Sequence, residues 1–192
     1  MPFGTSLWLR GSNGAGKTTL LRMLASLSTP SCGQLEVAGF DVVDEREAVR
    51  RTTSLISHSL YLYPGLTALE TLQLWMRLGG GEVDTALATR LLDEVGLKAA
   101  ADRRVGQFSA GMRKRLAVAR TRIEAPTVLL LDEPFSSLDT QGCELIEAWV
   151  RDFVAAGGAV VMASHDHERS EALCEGVVDL VAGQVAGSSE AA

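Results

Sequence analysis

The run Gly11-Ser12-Asn13-Gly14-Ala15-Gly16-Lys17-Thr18-Thr19 constrains this chain more than any other feature. It fits the pattern G-x-x-x-x-G-K-[ST] at every fixed position. The apolar stretch Leu7-Trp8-Leu9 precedes it, and Leu20-Leu21-Arg22-Met23-Leu24 follows. A strand that turns sharply into a helix is the setting such a loop requires. Glycines let the backbone curl so that successive N–H groups face an anion. The helix behind adds the positive end of its dipole. The loop therefore predicts a phosphate cradle formed by Gly11, Asn13, Gly14, Ala15, Gly16, Lys17, Thr18 and Thr19. Lys17 can reach terminal phosphates, and the Thr18 hydroxyl can ligate Mg2+.

A second element is Leu129-Leu130-Leu131-Asp132-Glu133-Pro134. A continuous apolar run suits a parallel strand buried on both faces. Its two carboxylates then fall at the strand's C-terminal end, where open α/β sheets bind ligands. The expectation is that Asp132 holds magnesium through water and that Glu133 takes a proton from the attacking water. A solvated acidic turn is the simpler alternative, and the phosphate loop upstream argues against it.

Strand-like and helix-like stretches alternate. Residues 5–10, 34–37, 53–56, 127–131 and 159–163 read as strands. Residues 17–28, 44–51, 67–78, 85–95 and 141–156, with a basic stretch after Gly111, read as helices. Thr67 and Glu70 form a capping-box pattern. The order predicts an α/β fold: a P-loop NTPase core whose parallel sheet is flanked by helices, with an α-helical insertion. At 192 residues one domain is expected. Its α/β core would comprise residues 1–57 and 113–187, its helical part residues 58–112, and its frayed tail residues 188–192.

A formal net charge of −6 argues against an extended nucleic-acid-binding face. Cys32, Cys143 and Cys174 are far apart and odd in number, so neither a disulfide framework nor a metal cluster is expected, and a reducing cytosol fits. Without a long apolar run or a leader pattern, any membrane role must pass through another subunit.

Phe108-Ser109-Ala110-Gly111-Met112-Arg113-Lys114-Arg115-Leu116 makes the resemblance specific. The chain resembles the ATP-binding-cassette ATPase family, whose signature reads L-S-G-G-Q before a basic helix. Ser109 and Gly111 match; Phe108, Ala110 and Met112 depart. The resemblance implies that Ser109 and Gly111 contact the γ-phosphate of ATP held by another copy, so that a homodimer encloses two ATP–Mg2+. It implies a dimer-contact loop at Ser136-Ser137-Leu138-Asp139 and a switch histidine at His165, acting with Glu133 and Lys17 in catalysis. His58 falls where the family usually carries a glutamine. Only ten residues precede Gly11, so the family's front antiparallel strands and their adenine-stacking aromatic are truncated. Either the sequence lacks its true start, or ATP is held mainly by its phosphates. His58, the S-A-G signature and Asp132-Glu133-Pro134-Phe135 further resemble the haem-exporter ATPases of cytochrome c maturation, and multidrug and bacitracin-type exporters share much of this pattern.

The resemblance thus implies an ATP hydrolase on the cytoplasmic face of the membrane, driving export through an integral-membrane permease. Residues 60–78, with Tyr61, Tyr63 and Trp75, would pass motion to that partner. A soluble cassette acting on DNA or ribosomes is a competing reading. A weakly catalytic module that regulates a partner is another.

Overall fold

The computed structural model describes residues 1–58 and 60–190. In chain order the elements are β1 (Ser6–Arg10), α1 (Lys17–Leu24), β2 (Glu36–Val37), β3 (Phe40–Asp41), α2 (Arg46–Thr52), β4 (Thr53–Ile56), α3 (Ala68–Leu78) and α4 (Thr85–Glu94). There follow α5 (Ala110–Glu124), β5 (Val128–Asp132), α6 (Thr140–Ala155), β6 (Ala159–Ala163), α7 (His167–Leu173), β7 (Gly176–Val181) and β8 (Gln184–Glu190). The chain forms two compact units. One is Met1–His58, Pro126–Phe135 and Ile146–Ala192; the other is Ser59–Ala125 and Ser136–Leu145.

The first unit is built on a sheet of order β4-β5-β6-β1-β7-β8. All pairs are parallel except β7 with β8. Every residue of β5 and β6 is buried, as expected for central parallel strands covered on both faces. On one face Leu9, Leu130, Val161 and Ala163 pack with Leu21 and Ala25 from the α1 region. Each buried leucine or valine among them contributes about 1.5–3 kcal/mol. The register aligns Asp132 with Ala163, and Ala163 with Leu9. Three parallel strands therefore end at one edge, and their following loops emerge side by side.

Several expectations change here. The first helix stops at Leu24 instead of residue 28, because Ser26 takes φ 51° and its hydroxyl bonds to Val42 O at 2.8 Å. The tail expected to fray from residue 188 is instead the end of β8, where Ser188 pairs with Val178 and Glu190 with Gly176. Backbone ladder bonds hold this edge strand despite its small polar side chains; residues 191–192 lie outside the described residues. Ala182 and Gly183, with φ of 50° and 80°, form the two-residue turn between β7 and β8. Ahead of the phosphate loop the described residues hold β1 alone, and the short antiparallel pair β2–β3 follows α1.

The second unit is helical. Thr67 opens α3 with the expected box: its hydroxyl accepts from Glu70 N at 3.1 Å, and its own N–H donates to Glu70 Oε2 at 2.8 Å. Trp75 of α3 lies under the Arg120 guanidinium, 4.7 Å from ring centre to carbon. Arg120, deeply buried on α5, also donates to Leu60 O at 2.9 Å. Burial pushes its pKa down from the usual value, and the neighbouring Glu124 opposes that. The boundary expected at residue 113 falls inside α5, a helix that packs against α3 and α4 and belongs to this unit as a whole.

Candidate active site

A cavity of about 270 Å³ opens at the common edge of β1, β5 and β6. It is lined by Asn13 through Thr19, Asp132, Glu133 and His165. Residues far apart in sequence meet here because β5 and β6 run parallel to β1 and finish in register with it.

Gly16 takes φ 103° immediately before α1, a conformation that a side chain would strain. It turns the loop directly into the helix, so the first-turn N–H groups of α1 face the cavity. Lys17 is buried, and its ammonium bonds to Gly11 O at 2.7 Å and Ser12 O at 3.1 Å. The side chain thereby curls over its own loop, keeping a positive charge where phosphate oxygens would gather. The Thr18 hydroxyl donates to Asp132 Oδ2 at 2.8 Å. This pair offers the hard oxygen donors that magnesium prefers, so the donor set fits the ion expected from the sequence.

Glu133 takes φ 52°, in the left-handed region that non-glycine residues seldom visit. Such a conformation costs on the order of 1–3 kcal/mol and persists where its surroundings enforce it. Its N–H is tied to Ala163 O at 2.8 Å, and its Oε2 accepts from His165 N at 3.3 Å. His165 Nε2 lies 3.6 Å from Glu133 Oε1 and 2.7 Å from Asn13 Oδ1. The tautomer of the ring sets which of Nε2 and the Asn13 amide donates in this contact. The next residue, Asp166, caps α7 by accepting from the Arg169 amide at 3.1 Å. Burial alone would raise the Asp166 pKa, but the amide and guanidinium of Arg169, with His167, hold it below the usual range.

The remaining sequence candidates lie elsewhere. His58 is exposed and does not line the cavity. Ser109 caps α5, accepting from Met112 N at 3.1 Å, with Gly111 in the first turn. Asp139 Oδ1 accepts from Gly142 N at 2.8 Å as α6 begins. Lys114 donates to both Ser136 O and Ser136 Oγ at 2.8 Å, joining the signature helix to the loop that carries Asp139. All these residues except His58 belong to the helical unit.

One supporting residue was missed in the sequence. Gly183 N, at the β7–β8 turn, donates to Ala15 O at 3.0 Å and so backs the phosphate loop. The available signal was the small pair Ala182-Gly183 between the apolar residues Val181 and Val185.

A curled glycine-rich loop, a hydroxyl–carboxylate pair and a third-strand histidine define a nucleoside-triphosphate hydrolase of the phosphate-loop class. The ABC transporter family model matches residues 1–136. The ABC transporter ATP-binding protein NatA of Bacillus subtilis is 37% identical over 95% of this chain and 75% of its own length. The daunorubicin resistance ATP-binding protein DrrA3 of Streptomyces coeruleorubidus is 38% identical over 95% of this chain, which spans only 58% of that protein. The cytochrome c biogenesis ATP-binding export protein CcmA of Haemophilus influenzae is 34% identical over 88% of this chain and 80% of its own. Among solved structures, a dimeric post-hydrolysis state of an ATP-binding cassette bound to ADP and Pi superposes with TM-score 0.89 at 25% identity, covering 98% of this chain and 86% of that one. The chain belongs to the ABC transporter family, as an ATP-hydrolysing, ATP-binding subunit.

Proposed function

We propose that this subunit hydrolyses ATP as a homodimer and drives export through a separate integral-membrane permease. The observation that carries the reading is the Thr18–Asp132 contact of 2.8 Å, in a cavity that also holds Lys17, Glu133 and His165. In this reading the N–H groups from Gly11 to Thr19 grip the phosphates and Lys17 neutralises their terminal charge. Thr18 and, through water, Asp132 would hold Mg2+, which would supply further charge neutralisation. Glu133 accepts the proton of the attacking water, and His165 contacts the γ-phosphate. Ser109, Gly111 and Asp139 act on the nucleotide of the partner copy. The dimeric, ADP- and Pi-bound neighbour supports the two-copy arrangement.

Coupling to the permease would run through residues 60–78, where Tyr61 and Tyr63 are each 55% exposed. No helix among the described residues is long and apolar enough to cross a membrane; the place proposed for the subunit is peripheral, on the cytoplasmic face. The finer reading is haem export in cytochrome c maturation, supported by the CcmA relative. The second is another ABC exporter, of multidrug or bacitracin type, since NatA and DrrA3, neither named for cytochrome c biogenesis, match at higher identity than CcmA.

ATP titration of the Lys17→Ala variant tests the core of this reading. Losing charge-assisted hydrogen bonds to phosphate should weaken binding roughly 10–100-fold. Unchanged affinity would contradict it.

A further inference from the structure

Trp8 is fully buried in β1, the strand that runs directly into Gly11. A buried indole N–H needs an acceptor, and this one donates to Ser164 O at 3.2 Å. The indole also meets the His167 ring edge-on, with centroids 4.9 Å apart and planes at 90°. Ser164 and His167 flank His165 on either side. One side chain of the strand that launches the phosphate loop therefore grips the His165 segment before and after the histidine.

The His165 side chain is itself 48% exposed. Its aim therefore depends on how firmly its backbone is held. Glu133 holds that backbone through the His165 N–H. The Ser164 hydroxyl accepts from Asp166 N at 3.0 Å within the segment. Trp8 adds an anchor from β1. A phenylalanine at position 8 would keep an aromatic ring in the core but has no proton to give the Ser164 carbonyl.

We propose that Trp8 is a positioning residue: it fixes the Ser164 carbonyl, and through it sets His165 relative to the phosphate loop. The proposal rests on the reading of His165 as the γ-phosphate contact. Its consequence is specific, because nucleotide is gripped by the loop, whereas turnover depends on where the imidazole sits. Small misplacements of such a group lower rate without lowering affinity.

The test is a cycle of Trp8→Phe, His165→Ala and the double variant in the full chain, measuring kcat and nucleotide Kd. Phenylalanine keeps a ring in the core and removes the N–H. We expect Trp8→Phe to lower kcat about tenfold, the size of one hydrogen bond, with Kd within about twofold of wild type. In the His165→Ala background the same change should cost nothing further. Wild-type kcat in Trp8→Phe, or an equal additional loss in the His165→Ala background, would overturn the proposal. A His165→Ala variant with normal turnover would instead remove the reading of His165 on which it rests. Imidazole NMR gives a readout independent of turnover, since the chain has three histidines. The His165 Cε1–H signal should shift in Trp8→Phe while that of His58 stays, and an unmoved His165 signal would count against positioning. If Trp8→Phe does not fold, His167→Ala, at an exposed site, takes its place: about threefold lower kcat at unchanged Kd is expected, and unchanged kcat overturns the idea.

Discussion

Gly11 stands where no side chain fits. A Cβ at this position would collide with Leu180 O and lie 3.1 Å from the Ala15 Cβ. The first is a backbone atom of β7, so the loop itself would have to move. Gly11→Ala should therefore cost roughly 1–3 kcal/mol of stability and weaken ATP binding about tenfold or more. Urea denaturation and nucleotide titration check both, and wild-type values would show that the loop tolerates displacement. Asp166 gives a prediction in pH. Its carboxyl lies below the ordinary value of 3.8 in the folded protein, so its charged form stabilises the native state. That stabilisation is complete well above pH 3.8 and is lost as pH falls through the depressed folded-state value. The Asp166→Asn variant should accordingly lose less stability than wild type between about pH 5 and 2. Parallel acid curves in the two proteins would contradict this.

At the scale of elements, α3 owes its start to a reciprocal pair of bonds between Thr67 and Glu70. Thr67→Ala leaves a first-turn N–H without its cap and should destabilise by about 1 kcal/mol, read as a shifted urea midpoint with ATP affinity intact. No shift would mean that tertiary packing alone holds this end. That helix was legible because its determinants are local: a cap, a glutamate three residues on, and apolar residues at helical spacing. The strands β5 and β6 were legible as apolar runs, and the site residues from Asn13 to Thr19, Asp132, Glu133 and His165 through spacing and resemblance. β7, β8 and α7 were not. β8 is largely exposed, and Gly187 and Ser188 show no apolar alternation; its strand character comes from the ladder with β7. The Asn13–His165 and Trp8–Ser164 bonds join positions about 150 residues apart in the chain, and no local pattern encodes such pairs. Ser109 shows the converse. Its motif suggested a partner's phosphate, while within its own chain the hydroxyl caps α5.

For the whole molecule, the parallel strands β5, β6 and β1 set the chemistry. Because Asp132, Ala163 and Leu9 stand in register, one sheet edge presents the phosphate loop, both carboxylates and the histidine. The left-handed backbone at Glu133 is the strain that this arrangement carries. In the proposed cycle the Glu133 carboxylate takes up a proton during turnover, whereas binding belongs to the loop. Glu133→Gln separates the two, since the amide keeps the shape and loses the basic oxygen. Phosphate release and ATP affinity measured side by side in wild type and Glu133→Gln test this most directly. The proposed cycle predicts ATP affinity within about twofold of wild type and release slowed by roughly 10²–10⁴-fold; phosphate release at the wild-type rate would contradict it.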